Sequence, residues 1–373
     1  MEIPRSFRHL CDRVRFPLDA RSSDDTPLDP RLHDYLAQVR AESLRVTPST
    51  APAIGRMVQV VSERLSLEGT AEVYIRADSS INAFAPGLAH VDSPVVILNS
   101  GLVQLLTVPE LMMPLGHELG HVGLGHSHGP GSWRGGELQR LSARSQQRYA
   151  EVSADRVGLL ACRSTYVAAN VMVKTASGLP SASLGIDIDA FISQMDRSPE
   201  EISREWELEL SHPSLPFRLW AMLRFSHSDV YAQMTGQGGA SVPIQALDEE
   251  IADRLQQMGD GRIARAQDEV LQRAIMWTGV SLMLRYEQDE GEAIGILEPF
   301  MGQDRAERAV RFAAQHGHDA VAIKSQTALA ALEDAGPDAR ERFDIAVRGI
   351  TGQFDGVDTS GHGPLGGKPH DES

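Results

Sequence analysis

The residues of this chain best placed to do chemistry are His117-Glu118-Leu119-Gly120-His121. On an α-helix, positions four apart lie on one face, so both imidazoles aim at one point. Two histidines so placed are half of a zinc site. Glu118, one position beyond the first, is set to hold a metal-activated water and take its proton. The plainer alternative is a buried helix with two incidentally spaced histidines, since the motif sits in an apolar run from Leu111 to Gly125. A catalytic zinc takes three protein ligands and keeps one position open. Glu151 offers a third ligand through a carboxylate oxygen. Asp155, one helical turn later on the same face, can accept the second N–H of a ligating histidine. Such an acidic pair alone is ordinary on a solvated face. Here Val157-Gly158-Leu159-Leu160-Ala161-Cys162 follows and reads as buried helix. A carboxylate heading a buried helix needs a partner, and a metal is one.

Further blocks occur in a telling order. Asn82-Ala83-Phe84-Ala85-Pro86-Gly87 resembles an "NAFA" strand that precedes a zinc helix, and Val95 to Leu98 with Gly101-Leu102 resembles a following strand and helix start. His117 to His126 resembles an HExxHxxxxH block, Glu151 to Gly158 an ExxAD block, and His212-Pro213 with Arg218 an HP….R block. Together they make residues 50–225 similar to the gluzincin zinc metallopeptidases of the HtpX and CAAX prenyl protease type.

The resemblance implies one Zn2+ per chain held by His117, His121 and Glu151, with Glu118 as general base. It implies a zinc-dependent metalloendopeptidase acting on protein or peptide substrates, with protein quality control as one setting. The alternative is a latent or weakly active zinc protein that serves as a regulatory or chaperone-like binding module. By the same resemblance, Asn82 and Ala83 form a sheet edge to which substrate adds as a strand; an ordinary turn is the alternative. His126 falls outside the metal triad, in a structural or ligand-supporting role. His212 either donates to the developing oxyanion or swings onto the zinc as a fourth ligand. Arg218 anchors its loop through a carboxylate, with Asp155 the partner of a ligand histidine; a purely structural role for His212 and Arg218 is the alternative. Two departures stand out. Ser214 occupies the place of a usual second proline, and the best-known members are membrane-embedded, whereas the longest nearly apolar run here, Ala274 to Leu284, is too short to span a bilayer.

These residues need a scaffold, and 373 residues suffice for one large or two ordinary domains. The fold class expected is α+β and mostly helical: a zincin-like domain, with a small sheet, the HExxH helix and the Glu-ligand helix, followed by an all-helical domain. The divisions expected are an N-terminal segment over 1–30, the metallopeptidase domain over 31–235, a helical domain over 244–350 and a disordered tail over 351–373, with a Gly-rich linker at Gly236 to Ser241. Helices are expected over Leu32 to Leu44, around Ile54 to Leu65 with Ser49 or Thr50 as cap, from Thr107-Val108-Pro109, over Ala150 to Ala176, and from Ser198. Strands are expected at Val73 to Ile75, Asn82 to Ala85 and Val95 to Leu98. Arg140, Arg144 and Arg148 share a face that is either a basic rim or, the favoured reading, solvated. A net charge of −16 argues against nucleic acid or an anionic membrane as partner. Two cysteines, Cys11 and Cys162, give no disulfide framework, which with the absent signal-peptide core points to a cytoplasmic setting. Cys162 reads as a small buried residue. Cys11 reads as a lone surface thiol, with a switch on the zinc as the sharper alternative. The helical region shows no chemistry, and a protein partner is its expected role.

Overall fold

The segment Val95–Asn99 is apolar without alternation through Leu98 and lies buried along its length, as a strand covered on both faces must be. In the computed structural model it is β4, at the heart of a four-stranded sheet. The structure describes residues 6–19, 30–86, 94–126, 137–185, 187–196, 212–237, 241–257, 261–286 and 288–353. The sheet order is β1(Leu44–Arg45), β2(Glu72–Arg76), β4, β3(Ala83–Phe84). β2 and β4 run parallel with Tyr74 opposite Ile97, and the two outer strands pair antiparallel. Val96 and Leu98 point into the main core. Val95 and Ile97 point to the other side, where Leu36 and Val39 of helix α2(Pro30–Glu42) cover them. A one-residue slip would exchange these two sets, so burial on both faces pins the register.

Around the sheet stand α1(Phe7–Val14), α3(Pro52–Arg64), α4(Ser100–Leu105), α5(Val108–Leu124), α6(Glu137–Cys162), α7(Thr165–Ser177), α8(Ile188–Ile192), α9(Leu215–Ser226), α10(Asp229–Thr235) and α11(Ile244–Leu255). The α+β, mostly helical class holds. Several local expectations do not. Helix α3 begins after Ala51, because Thr50 is occupied: its hydroxyl donates to the Arg45 carbonyl and accepts from the Thr47 N–H. The run expected over 150–176 is two helices. Arg163, with φ of 53°, breaks it, and Ser164 caps the second by accepting from Val167 N–H. Arg148 is buried beside Ser145, so the basic face is not wholly solvated. The helix expected at Ser198 and the residues 238–240 lie outside the described residues, as do Ser22 to Thr26, His128, Gly129 to Gly136 and the tail from 354.

Within the N-terminal segment expected over 1–30, the described residues 6–19 pack into the first unit rather than standing apart. Leu10, Cys11 and Val14 of α1 belong to the main core. Cys11 is fully buried against Gly123 of α5 and its thiol is pushed far up by that burial, so it is not a surface thiol. Cys162 is buried too, its thiol raised to about 11 chiefly by desolvation. The chain divides at residue 261 into two compact units, the second also taking in residues 134–140. The helix from Ile244, expected with the C-terminal region, packs in the first unit. Its Ile251 and Leu255 join Phe16, Tyr149, Val152, Phe217 and Ala221. The physical reason is Arg156 of α6, 1 % exposed, whose guanidinium must find a carboxylate and pairs with Asp248 of α11. The same guanidinium donates to the Val14 carbonyl and lies over the rings of Phe16 and Phe225. The second unit is all-helical, with α12(Gly261–Arg285), α13(Glu290–Met301), α14(Gln303–Asp334), divided by a non-helical Gly317, and α15(Pro337–Thr351) around Leu271, Val280, Leu297, Val310, Leu332 and Phe343. Among the described residues, no helix is long and apolar enough to cross a membrane.

The start of α5 is fixed by Glu110. It accepts from the Thr107 N–H at 2.7 Å and from Lys174 Nζ of α7 at 2.7 and 2.8 Å. Burial raises the Glu110 pKa, but the Lys174 and Thr107 hydrogen bonds outweigh it and hold the carboxyl below its usual range. Its share of stability is therefore present above the ordinary carboxylate range and lost as pH falls through the lowered folded value. Replacing Lys174 with Met strands a buried carboxylate. The expected loss is about 3–5 kcal/mol, read as a lower urea midpoint, and adding Glu110→Gln recovers part of it. A Lys174→Met midpoint equal to wild type would contradict the pairing.

Candidate metal centre

Close approach of α5 and α6 creates the site. A Cβ added at Gly116 would lie 2.3 Å from Ala161 Cβ, at Gly120 2.9 Å from Val157 Cβ, and at Gly158 2.9 Å from the Met113 carbonyl. Glycines are costly inside helices. Here they let the HExxH helix sit directly on the helix bearing Glu151, the neighbour that the small-residue pattern called for.

Three donor atoms converge as a result. His117 Nε2 and His121 Nε2 are 3.0 Å apart. Glu151 places Oε2 3.5 Å from the first and Oε1 3.3 Å from the second. All three residues are buried, with ligand atoms within 4.8 Å of one another. Outer partners set the tautomers. His117 Nδ1–H donates to Asp155 Oδ1 at 2.9 Å, which leaves the Nε2 lone pair facing inward. His121 Nδ1 is 2.8 Å from His126 Nδ1, and His126 Nε2 is 3.0 and 3.1 Å from the Asp19 carboxylate. In the neutral tautomer that Asp19 selects, His126 carries its proton on Nε2 and accepts from His121 Nδ1–H, so the second Nε2 lone pair also faces inward. Two lone pairs and a carboxylate meeting in a buried space repel one another unless a cation sits among them. The two-imidazole, one-carboxylate set thus fits a divalent metal with an open position.

Arg218 supplies the positive charge that keeps the carboxylates ionised. It grips Asp155 with Nε at 2.8 Å and Nη2 at 2.6 Å, while Nη1 is 2.8 Å from Glu151 Oε2. Burial alone would raise both carboxyls. Arg218, then His117, holds Glu151 well below its ordinary value, and Arg218 heads the influences that lower Asp155. Arg218 itself is raised: desolvation opposes its charge, but Asp155 and Glu151 more than compensate. Its role is wider than anchoring its own loop, since it clamps both Glu151 and the Asp155 that orients His117.

Glu118 is set apart. Desolvation raises its pKa to about 7, against lowering by His117. Its Oε2 accepts from the Ala85 N–H at 2.9 Å, just past β3. Asn82 is exposed and Ala83 half-buried at that edge of the sheet. His212 is 61 % exposed, with Nε2 3.4 Å from Glu151 Oε1, at the rim of the site. The structure thus gathers His117, Glu118, His121, Glu151, Asp155, Arg218, His126 and His212 in one place and sets the Asn82–Ala83 edge beside Glu118. Sequence reasoning missed Asp19, which lies 107 positions before His126 in a segment read as separate. No spacing rule links the two. The available signal was the apolar character of Phe7 to Phe16, which marked the stretch as packable.

Comparison with known proteins agrees with this geometry. Residues 48–132, from α3 through the histidine helix, match the profile of peptidase family M48. That stretch is similar to the M48 peptidases over a little under a quarter of the chain. The chain is also similar to the plastoglobule-localized metallopeptidase 48, chloroplastic, of Arabidopsis thaliana, with 26 % identity over 282 residues, 65 % of this chain and 81 % of that protein. No solved structure matches the chain. Both matches are to metallopeptidases, and both agree with the resemblance read from the motifs.

If Asp19 orients His121 through His126, Asp19→Ala and His126→Ala each lower divalent-metal affinity about 10–100-fold. Competition titration against a chromophoric chelator measures this. Wild-type affinity in both variants would remove Asp19 and His126 from the metal centre.

Proposed function

We propose that this protein is a zinc-dependent metalloendopeptidase that hydrolyses peptide bonds of protein substrates. The observation that carries the reading is the convergence of the His117, His121 and Glu151 donor atoms beside a buried Glu118 held by the Ala85 N–H. Two imidazoles and a carboxylate suit zinc among divalent ions. When bound, zinc supplies Lewis acidity to a water and to the scissile carbonyl.

The chain's own groups do the rest. Glu118, with a pKa of about 7, takes the proton of the attacking water and returns it to the leaving amine. A carboxyl in that range both accepts and gives a proton near neutral pH. With Oε2 engaged by Ala85, its other oxygen is the one assigned to the water. His212, exposed at the rim and 3.4 Å from Glu151, is assigned as donor to the oxyanion. Substrate adds as a strand along the edge at Asn82 and Ala83, which brings its backbone past Glu118. Protein quality control is the proposed setting. The chloroplast relative is named for its plastoglobule location, and the cytoplasmic location expected here remains a proposal.

In the test, Glu118→Gln retains one zinc per chain by elemental analysis and loses casein cleavage about 10²–10⁴-fold. His212→Ala retains zinc and loses about 10²-fold in kcat with little change in KM. Cleavage by Glu118→Gln at the wild-type rate would falsify the mechanism. Full zinc with no cleavage in the wild type would point instead to a latent protein.

A further inference from the structure

We propose that the second unit holds a binding site for a small amphipathic anion, an aromatic or other apolar body bearing phosphate, sulfonate or carboxylate charge. The site is a cavity of about 410 Å³ bounded by α12 and α14. Arg273, Met276 and Trp277 line it from the first helix, and Arg305, Arg308 and Phe312 from the second. Its lining belongs to the second unit and the candidate metal site to the first, and it does not rest on the peptidase reading.

The floor is aromatic. Trp277 is buried and meets Phe312 edge-on, with centroids 5.2 Å apart at 71°. His316 stacks on the Phe312 ring at 4.3 Å and steadies it. The rim is cationic: three guanidiniums face one carboxylate, Glu269, in a chain of net charge −16. Elsewhere in this unit arginines find carboxylates, Arg342 with Asp268 at 3.0 Å and Arg340 with Glu333 at 2.9 Å. Among the described residues, Arg273, Arg305 and Arg308 make no ion pair. Three uncompensated guanidiniums around a buried indole recognise a ligand with an anionic head and a ring that lies on the floor.

Size decides between a small molecule and a peptide helix. Ligand pockets run about 300–1,000 Å³. A helix is about 10–12 Å across, and two turns of it fill on the order of 1,000 Å³. The cavity accommodates a fused ring system and its charge, and not a helix.

The full-length chain is titrated with 1-anilinonaphthalene-8-sulfonate and with N-phenyl-1-naphthylamine, the same ring body without the sulfonate. The expected result is one saturable sulfonate site per chain, at least ten-fold tighter than the amine and displaced by 1-naphthyl phosphate. In Arg273→Gln/Arg308→Gln, with an unchanged melting temperature, that preference collapses at least ten-fold. Arg311→Gln, exposed on the same helix but outside the lining, leaves it intact. Equal binding of the two dyes, or sulfonate binding indifferent to the double substitution, overturns the proposal. Displacement by a Glu-Glu-Trp-Glu-Glu peptide at a ten-fold lower concentration than naphthyl phosphate assigns the site to polypeptide and overturns it as well.

Discussion

The first unit is built around the cost of burying negative charge. Glu118, Glu151 and Asp155 lie together out of water. Unpaired, such carboxylates would take up protons, and the site would lose its ligand. Arg218 prevents this for two of the three, with near-ideal geometry to Asp155 and one nitrogen on Glu151. Among the described residues, Glu118 accepts from one backbone N–H, and it rises to about 7. Two carboxyls are thus held ionised and one is poised near neutrality, a division set by where Arg218 reaches.

The divergence depends on how near α5 and α6 stand. Gly116, Gly120 and Gly158 remove the side chains that would hold the helices apart. Any Cβ at Gly116 would overlap Ala161, so the helices would separate and the Glu151 carboxylate would withdraw from both imidazoles. Intrinsic helix propensity is given up at these positions, and the burial of Leu115, Leu119, Val157 and Leu160 offsets it.

The metal face was the most legible part of the sequence. His117 and His121 follow from helical period alone. Glu151 and Asp155 follow from the same period and from the apolar residues after them. The sheet was legible as short apolar runs, and its burial on both faces showed in the lack of alternation at Val95 to Leu98. What could not be read were interactions between residues distant in the chain. Asp19 with His126, Arg156 with Asp248 and Glu110 with Lys174 join segments that no local pattern connects. The misplaced helix from Ile244 is one consequence: its apolar stripe is that of any amphipathic helix, and only Asp248 seeking Arg156 assigns it to the first unit. The break at Arg163 was hidden for another reason, since Ser164 as a cap looks like any serine within a helical run until the left-handed φ before it is seen.

Asp19 and Arg156 together make the N-terminal stretch part of the metal centre. Phe16 N–H donates to Ser153 Oγ at 2.9 Å, midway between Glu151 and Asp155 along α6. Arg15 donates to the Leu124 carbonyl at the end of the histidine helix and lies 3.4 Å from Asp19. Val14 accepts from Arg156. The stretch thus touches the far end of α5 and the middle of α6, the two helices whose spacing sets the ligand geometry. A hydrogen bond from His126 to a mobile carboxylate would orient little, because orientation requires that the acceptor be fixed first. The apolar side of α1, with Leu10, Cys11 and Val14 in the core, fixes it. The order of dependence therefore runs from apolar burial of α1, through Asp19 and His126, to the ring of His121, and a weakening at the first step reaches the last.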